Sequence, residues 1–459
     1  WKNGKDSHNR TQEPFAEEQA PDEQPSVCPD VITIHSLGEL PAIVNRLEKE
    51  AFSLEDVYNS IGYIAFSFAI AHKTDPFLME VKDRLGMEYV AELLETSPSN
   101  NTVIRNYDDR FPTDSSHAIS AAIGRLLEKT PLPALEGSNS WVLGPAKTRS
   151  GKVLFANDPH IGFAQPSVWY EAHIVTPEYE KYGYYLAGIP YPLLGHDRNL
   201  AYGMTMFEND DIDFYSETLH PEDSLQYKRP EGWKSFDRAE KNISVKDAEP
   251  VAFSYRKTDR GPVVNDVIES LKGTAPVSIS WVYTQGPNRV MEALYGISHA
   301  RDLANFEKAV RDVHAPGLNV MYGDAEGNVA WWGAARLHRL PDSLSTKLFL
   351  EGAETAMTDP SPFRENPMSV NPPWGYVYSA NNQPDSTASG IVPGYYLPEN
   401  RARRIVDILE PRNDWDRDGM MEMITDVTSP VNPEIVENLA ADLETDELTE
   451  SERPYLDAL

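Results

Sequence analysis

The chain has 459 residues, 40% of them hydrophobic, and its 72 acidic side chains outnumber 41 basic ones, leaving a net charge of −31. That balance disfavours nucleic acid and anionic membrane surfaces as partners and otherwise serves solubility. The one cysteine, Cys28, excludes an internal disulfide framework and a multi-cysteine zinc site.

Residues 2–25 are polar and dotted with proline, so the first 30 residues are expected to be a disordered stretch. The chain begins at Trp1 rather than methionine, as a fragment or a processed product would, and no signal peptide or transmembrane span is visible. Residues 61–71 form the longest apolar run, too short to cross a bilayer and expected as a buried helix. Ser53-Leu54-Glu55-Asp56 is a capping box ahead of it. Asp75-Pro76 is expected to cap and start a second helix that ends at Gly86. A third is expected over 116–129, where Ile119, Ala122, Ile123, Leu126 and Leu127 fall on helical spacing, and Pro131 and Pro133 stop it.

After Gly137-Ser138 the pattern changes to strands. Trp141-Val142-Leu143 and Lys152-Val153-Leu154-Phe155 read as a hairpin across a polar turn, Lys147-Thr148-Arg149-Ser150-Gly151, which would return His160 close to Ser138. Further strands are expected at 168–175, 184–188, 200–205, 212–215, 252–256 and 277–283. A helix is expected near 303–313, and a hairpin joins 319–323 to 328–334. Strand-rich sheets with helices outside them make an α+β sandwich.

Ser138 is the residue that invites chemistry. Glycine lacks a Cβ, so the peptide before Ser138 can enter strained φ/ψ values and let the hydroxyl approach the preceding carbonyl carbon. An N-to-O acyl shift and hydrolysis would free Ser138 as a new N-terminus. Its α-amine, with a reference pKa of about 7.7 to 8.0, could then serve as base for its own hydroxyl. Taken alone, Gly-Ser is an ordinary loop pair. Other hydrolase signatures, Gly-x-Ser-x-Gly and His-Glu-x-x-His, are absent.

Ordered motifs add to this reading. Gly137-Ser138-Asn139-Ser140-Trp141 and Asn157-Asp158-Pro159-His160-Ile161-Gly162 are followed by Tyr202-Gly203-Met204-Thr205-Met206 and Asp210-Asp211-Ile212-Asp213. Asn319-Val320-Met321-Tyr322-Gly323-Asp324 and Asn381-Asn382-Gln383-Pro384 complete the set. Together, over more than two hundred residues, they resemble the penicillin acylase family of N-terminal-nucleophile hydrolases, which includes acyl-homoserine lactone acylases.

The resemblance implies a four-layer αββα sandwich with a helical small-chain segment. It implies a small-chain portion at 31–96, a spacer removed from within 97–137 and a large-chain portion at 138–459, the two chains forming a heterodimer in the periplasm or outside the cell. The reaction implied is hydrolysis of an N-acylated small molecule, a fatty-acyl homoserine lactone or a β-lactam side chain, through an acyl-enzyme on Ser138. The His160 pattern tilts the substrate toward fatty-acyl amides. Trp169, Tyr170, Tyr184, Tyr185 and Phe207 would suit an apolar acyl group, although such residues commonly form core.

By the same resemblance, the backbone N–H of Met206 and the side-chain amide of Asn381 form the oxyanion hole. His160 helps hold the nucleophile, and Arg401 supports the site. Without the resemblance Met206 reads as a strand-end core residue, Asn381 as a turn residue, His160 as a turn histidine and Arg401 as a surface arginine at a helix start. No organic cofactor is implied. Calcium is, held by Asp210, the carbonyl of Ile212 and Asp213 with other oxygens, six to eight in all. Two carboxylates of the family's set are in doubt: residues 389–392 contain no acid, and the small-chain ligand has only Asp75 or Glu80 near its place. Asp210 and Asp213 could instead simply orient strand ends. Nothing before Val31 resembles the family's N-terminal strands, and the family's large chain runs beyond Leu459. The competing reading is an acylase-like binding or surface protein without activity, in which Ser138 stays joined to Gly137.

Overall fold

The computed structural model describes residues 53–94, 135–165, 167–245, 248–268, 271, 273–337, 345–355, 365–387 and 390–441. The first thirty residues and the expected 116–129 helix lie outside them. The residues from Leu54 onward form one compact unit.

Three helices come first: α1 (Leu54–Phe68), α2 (Ala71–Leu85) and α3 (Met87–Leu94). The second starts four residues earlier than the Asp75-Pro76 signal implied. Pro76 therefore sits in its second turn, where a missing N–H costs one hydrogen bond. Burial of Ala71, His72, Leu78 and Met79 outweighs that cost. Asp75 is no cap. It is fully buried and accepts a hydrogen bond from the Tyr395 hydroxyl.

Strands follow in two groups. The first runs β1 (Leu135–Leu143), β2 (Leu154–Ile161), β3 (Trp169–Val175), β4 (Glu180–Leu186), β5 (Leu194–His196), β6 (Leu200–Met206) and β7 (Ile212–Ser216). Two ribbons, β8 (Gln226–Arg229) with β9 (Gly232–Ser235) and β10 (Asp237–Ile243) with β11 (Val251–Lys257), lead to β12 (Val277–Trp281). Helices α4 (Val290–His299) and α5 (Leu303–Val310) intervene before β13 (Leu318–Asp324), β14 (Val329–Ala334), β15 (Leu350–Glu351), β16 (Met368–Val370) and β17 (Tyr376–Ser379). Helices α6 (Asn400–Leu409), α7 (Arg417–Ile424) and α8 (Asn432–Ala441) close the order.

Two sheets carry the core. One has seven strands in the order β16-β14-β13-β6-β5-β4-β3, the other three in the order β17-β1-β2. Side-chain alternation sorts their faces. Tyr202, Met204, Val320, Tyr322, Ala330 and Trp332 of the larger sheet pack against Val57 and Ile61 of α1, Leu294 and Ile297 of α4 and Phe306 of α5. The interleaved Met321, Val329 and Trp331 face the other way, onto Val142 and Val377 of the smaller sheet. Trp141, Leu143 and Tyr376 then meet Ala402, Ile405 and Leu409 of α6 and Met420 of α7. Helices, sheet, sheet and helices thus succeed one another. Beside them, α2 packs on the β12-β7-β15 sheet through Leu78, Met79, Phe214 and Ile279.

Lys147, the first residue of the expected polar turn, does not face solvent. It is buried, and its ammonium donates to the carbonyls of Leu409, Glu410 and Arg412 at 3.0, 2.8 and 3.0 Å. The last carbonyls of a helix lack intrahelical partners and carry partial negative charge, so a lysine there anchors α6 to the sheet. No described helix is long and apolar enough to cross a membrane.

His72 supplies a stability test. Its ring is buried, Nε2 lies 2.6 Å from the Phe66 carbonyl, and burial, the leading cause, lowers its pKa to about 4. The folded state therefore keeps the ring neutral while the unfolded chain takes a proton near pH 6.5. Stability is full above pH 6.5 and falls as pH drops toward 4. Denaturant midpoints at pH 7.5 and 5 should differ more for the parent than for His72→Gln, which keeps a donor to Phe66 but does not titrate.

Candidate active site

Strand β1 is the centre of the smaller sheet, hydrogen-bonded on one side to β2 and on the other to β17. The β2 register sets Gly137 opposite His160, Ser138 opposite Pro159 and Asn139 opposite Asp158. The β17 register sets Ser140 opposite Ser379. Continued by two residues, it would bring Asn381 opposite Ser138. At Asn381 the backbone turns into the left-handed region, φ 62°, a conformation asparagine tolerates better than most residues. The ladder thus ends with a side chain in place of a backbone carbonyl: the Ser138 N–H donates to Asn381 Oδ1 at 2.6 Å.

Ser138 lies in the unbroken strand, 1% exposed, and its hydroxyl donates to the carbonyl oxygen of Gly137 at 2.6 Å. The strand begins at Leu135, so the last three residues of the expected spacer belong to β1. Gly137 has φ 154°, and a Cβ there would stand 3.2 Å from Arg401 Nη2 and 3.6 Å from Asn381 Oδ1. Glycine is needed for both reasons, conformation and room.

Arg401, near the start of α6, holds the group together. Nη1 donates to the Ser138 carbonyl at 2.7 Å and to Asn139 Oδ1 at 2.6 Å; Nη2 donates to the Ala380 carbonyl at 2.8 Å and to Asn381 Oδ1 at 3.1 Å. Desolvation pulls the guanidinium's pKa down, opposed by the charges of Glu208 and Asp158.

Met206 ends β6, buried, and its carbonyl accepts from two amides, Asn381 Nδ2 at 2.8 Å and Asn319 Nδ2 at 2.7 Å. With both lone pairs engaged, the Met206 carbonyl has one orientation. Asn319 also donates to Thr205 Oγ1 and accepts from Trp331 Nε1, while Thr205 Oγ1 meets Ser379 Oγ at 2.8 Å. Gly203 lets Asn157 approach, its absent Cβ lying 2.1 Å from Asn157 Oδ1, and Asn157 Nδ2 reaches the Met204 carbonyl. These supports were missed in the sequence, although Asn319, Thr205 and Asn157 all stand within the quoted motifs.

The structure therefore brings Ser138, Asn381, Met206 and Arg401 together. His160 is only adjacent. Its Nε2 meets Asp158 Oδ2 at 2.8 Å and Asn139 Nδ2 at 3.4 Å, and among the described residues it has no hydrogen bond to Ser138. The contact with His160 is the leading reason that the Asp158 carboxyl lies below the usual carboxylate range. Of the aromatic residues expected around an acyl group, Phe207 is core, and Tyr170 and Tyr184 are exposed. A small recess beside Met206 is lined instead by Ala65, Phe68, Pro316 and two acids, Glu208 and Asp211. Burial raises the pKa of both acids to about 8.

The segment expected to hold calcium leads into β7. Asp210, Asp211 and Asp213 are all desolvated, which raises Asp210 to about 7 and Asp213 well above the usual range. Among the described residues, both oxygens of Asp210 are buried without a hydrogen-bond partner, and so is Oδ2 of Asp75. The Ile212 backbone lies in β7 opposite Trp281. Glu80, the other small-chain possibility, pairs with Arg84 at 2.6 Å. Orphaned carboxylate oxygens fit a cation. Calcium asks for six to eight oxygens, yet among the described residues no three carboxylate, imidazole or thiolate side chains are grouped to hold a metal ion. The residues present therefore do not fit calcium, and no chemical step below passes through it.

A family model described as penicillin amidase matches residues 21–459. An acyl-homoserine lactone acylase of Pseudomonas aeruginosa is 24% identical over 410 residues, covering 83% of this chain and 47% of that protein. Penicillin G acylase of Escherichia coli is 24% identical over 301 residues, covering 62% of this chain and 34% of that one. The chain spans about half the length, or less, of these curated relatives. A thermostable penicillin G acylase from Alcaligenes faecalis has a similar fold, with a TM-score of 0.60 at 21% identity over 70% of this chain and 58% of that one.

Proposed function

The chain belongs to the penicillin amidase family, and from that premise we propose that it is a self-processing linear-amide hydrolase with Ser138 as nucleophile. The observation that carries the reading is the pair of contacts at Ser138: its N–H on Asn381 Oδ1 and its hydroxyl on the Gly137 carbonyl. The helix, sheet, sheet, helix succession supports the αββα form of the sandwich.

Processing starts from these contacts. Ser138 Oγ attacks the Gly137 carbonyl carbon, the C–N bond breaks, and the nitrogen leaves as an amine that takes the hydroxyl's proton. Water hydrolyses the resulting ester, leaving a carboxylate on Gly137 and a free α-amine on Ser138. The cut frees the large chain, a further cut removes the spacer, and the small and large chains stay together as a heterodimer. Arg401, bonded to the Ser138 and Ala380 carbonyls, keeps the serine in place when its covalent tether is lost.

In turnover the α-amine, with a reference pKa of about 7.7 to 8.0, accepts the hydroxyl proton as Oγ attacks the substrate's amide carbon. Asn381 Oδ1, which accepts from the Ser138 nitrogen already, orients that amine. The developing oxyanion takes the Asn381 amide, whose side chain is held by its bond to the Met206 carbonyl, and the Met206 N–H at the end of β6. The amine donates its proton to the leaving nitrogen, and water then releases the acid from the acyl-serine. His160 acts at one remove, through Asn139 and Asp158, on the strand pair that carries the nucleophile.

The substrate is an N-acylated small molecule, a fatty-acyl homoserine lactone or a β-lactam with an acyl side chain, and the enzyme works in the periplasm or outside the cell. A series of acyl amides with chains from phenylacetyl to dodecanoyl, assayed by release of free amine, tests this. Activity on at least one series is expected. Absence of turnover with every one of them by correctly cut protein would overturn the amidase reading.

A further inference from the structure

We propose that Lys347, and not a divalent ion, is the resident cation beside the Asp75 and Asp210 carboxylates, so that this chain folds without calcium. The starting point is a seat that demands positive charge. Asp75, on α2, is fully buried, with one oxygen taken by the Tyr395 hydroxyl and the other unpartnered. Asp210, on the segment before β7, has both oxygens buried and, among the described residues, unpartnered. Carboxylates so placed are costly to keep ionised without a compensating charge.

Lys347 lies in the segment that leads into β15, the strand paired with β7. Its Nζ stands 5.2 Å from the centroid of the Tyr395 ring, the residue whose hydroxyl meets Asp75. The aromatic ring therefore ties the ammonium to the carboxylate seat, as a cation over a π face is attracted. Desolvation pulls the lysine's pKa down, and the charges of Asp210 first and Asp75 second pull it back up. Neighbouring acids have cations of their own: Arg260 acts on Asp213, and Lys73 and Arg401 act on Glu208. A calcium ion added to this arrangement would meet the repulsion of a desolvated ammonium.

The test uses the full-length protein, with metal content by mass spectrometry after dialysis against calcium and Tm in EDTA and in calcium chloride. The parent is expected to retain well under one calcium per chain and to melt at the same temperature in both buffers. Lys347→Met should melt at least a few °C lower in EDTA and regain part of that loss in calcium, because the vacated carboxylates then accept the ion. Lys347→Arg, which keeps the charge, should remain insensitive to calcium. Should Lys347→Met fail to accumulate, adding Asp210→Asn is expected to restore soluble protein by removing the unmatched charge. One calcium per parent chain with a lower Tm in EDTA, an unchanged Tm in Lys347→Met, or no recovery in the double variant would each overturn the proposal.

Discussion

Replacing Ser138 with alanine is expected to leave the full-length protein as a single uncut polypeptide without amidase activity. The hydroxyl is the only atom group lost, and among the described residues it makes one hydrogen bond, to the Gly137 carbonyl. Losing that bond costs about 1 kcal/mol, too little to unfold a domain held by two packed sheets. The backbone N–H keeps its Asn381 contact, and the Arg401 contacts to the strand are untouched. The chemistry, by contrast, loses its nucleophile twice over, once for the acyl shift and again for substrate. Ser138→Cys should retain partial cutting, because a thiol can attack the same carbonyl. Denaturing electrophoresis and intact mass decide it, and a normally cut Ser138→Ala protein would reject the assignment.

Asn381→Gly is expected to lower kcat by about 10²- to 10³-fold, the usual effect of removing one oxyanion donor. Glycine is the informative replacement. Asn381 has φ 62°, so alanine would add backbone strain to the lost amide, whereas glycine adopts that conformation freely. The substitution also strips the acceptor from the Ser138 N–H, a buried donor whose orphaning costs about 1 to 3 kcal/mol, so processing should slow as well. Rates must therefore be expressed per mole of cut enzyme, counted by mass. A fall in kcat with KM nearly unchanged is expected, and a loss under tenfold in cut enzyme would remove Asn381 from the oxyanion role.

What was legible in the sequence divides by the range of the interaction. The β1–β2 and β13–β14 hairpins could be read because alternation is a local signal, whereas the apolar run 61–71 was legible as one helix only in part, since α1 ends at Phe68 and Ala71 already starts α2. The meeting of Ser138 with Asn381 could not be read from spacing, since 243 residues separate them. It came from the motif resemblance and follows physically from the β1–β17 register. Helix α4 went unread because Gly296 and Ser298 weaken its local propensity, and its burial against α5 is a tertiary effect. Asp75 and Lys147 misled for one reason: each carries a charge that normally marks a surface, and each is buried against a partner more than 250 residues away. The His160 expectation was close in space, yet the imidazole's short bond goes to Asp158, the residue two positions before it in the same strand.

The account rests on one bond being broken in front of one hydroxyl. N-terminal sequencing of the large chain from the purified full-length protein measures that directly. A large chain that begins Ser138-Asn139-Ser140-Trp141 with a free α-amine is the predicted result; an uncut protein, or a large chain beginning at any other residue, would contradict it.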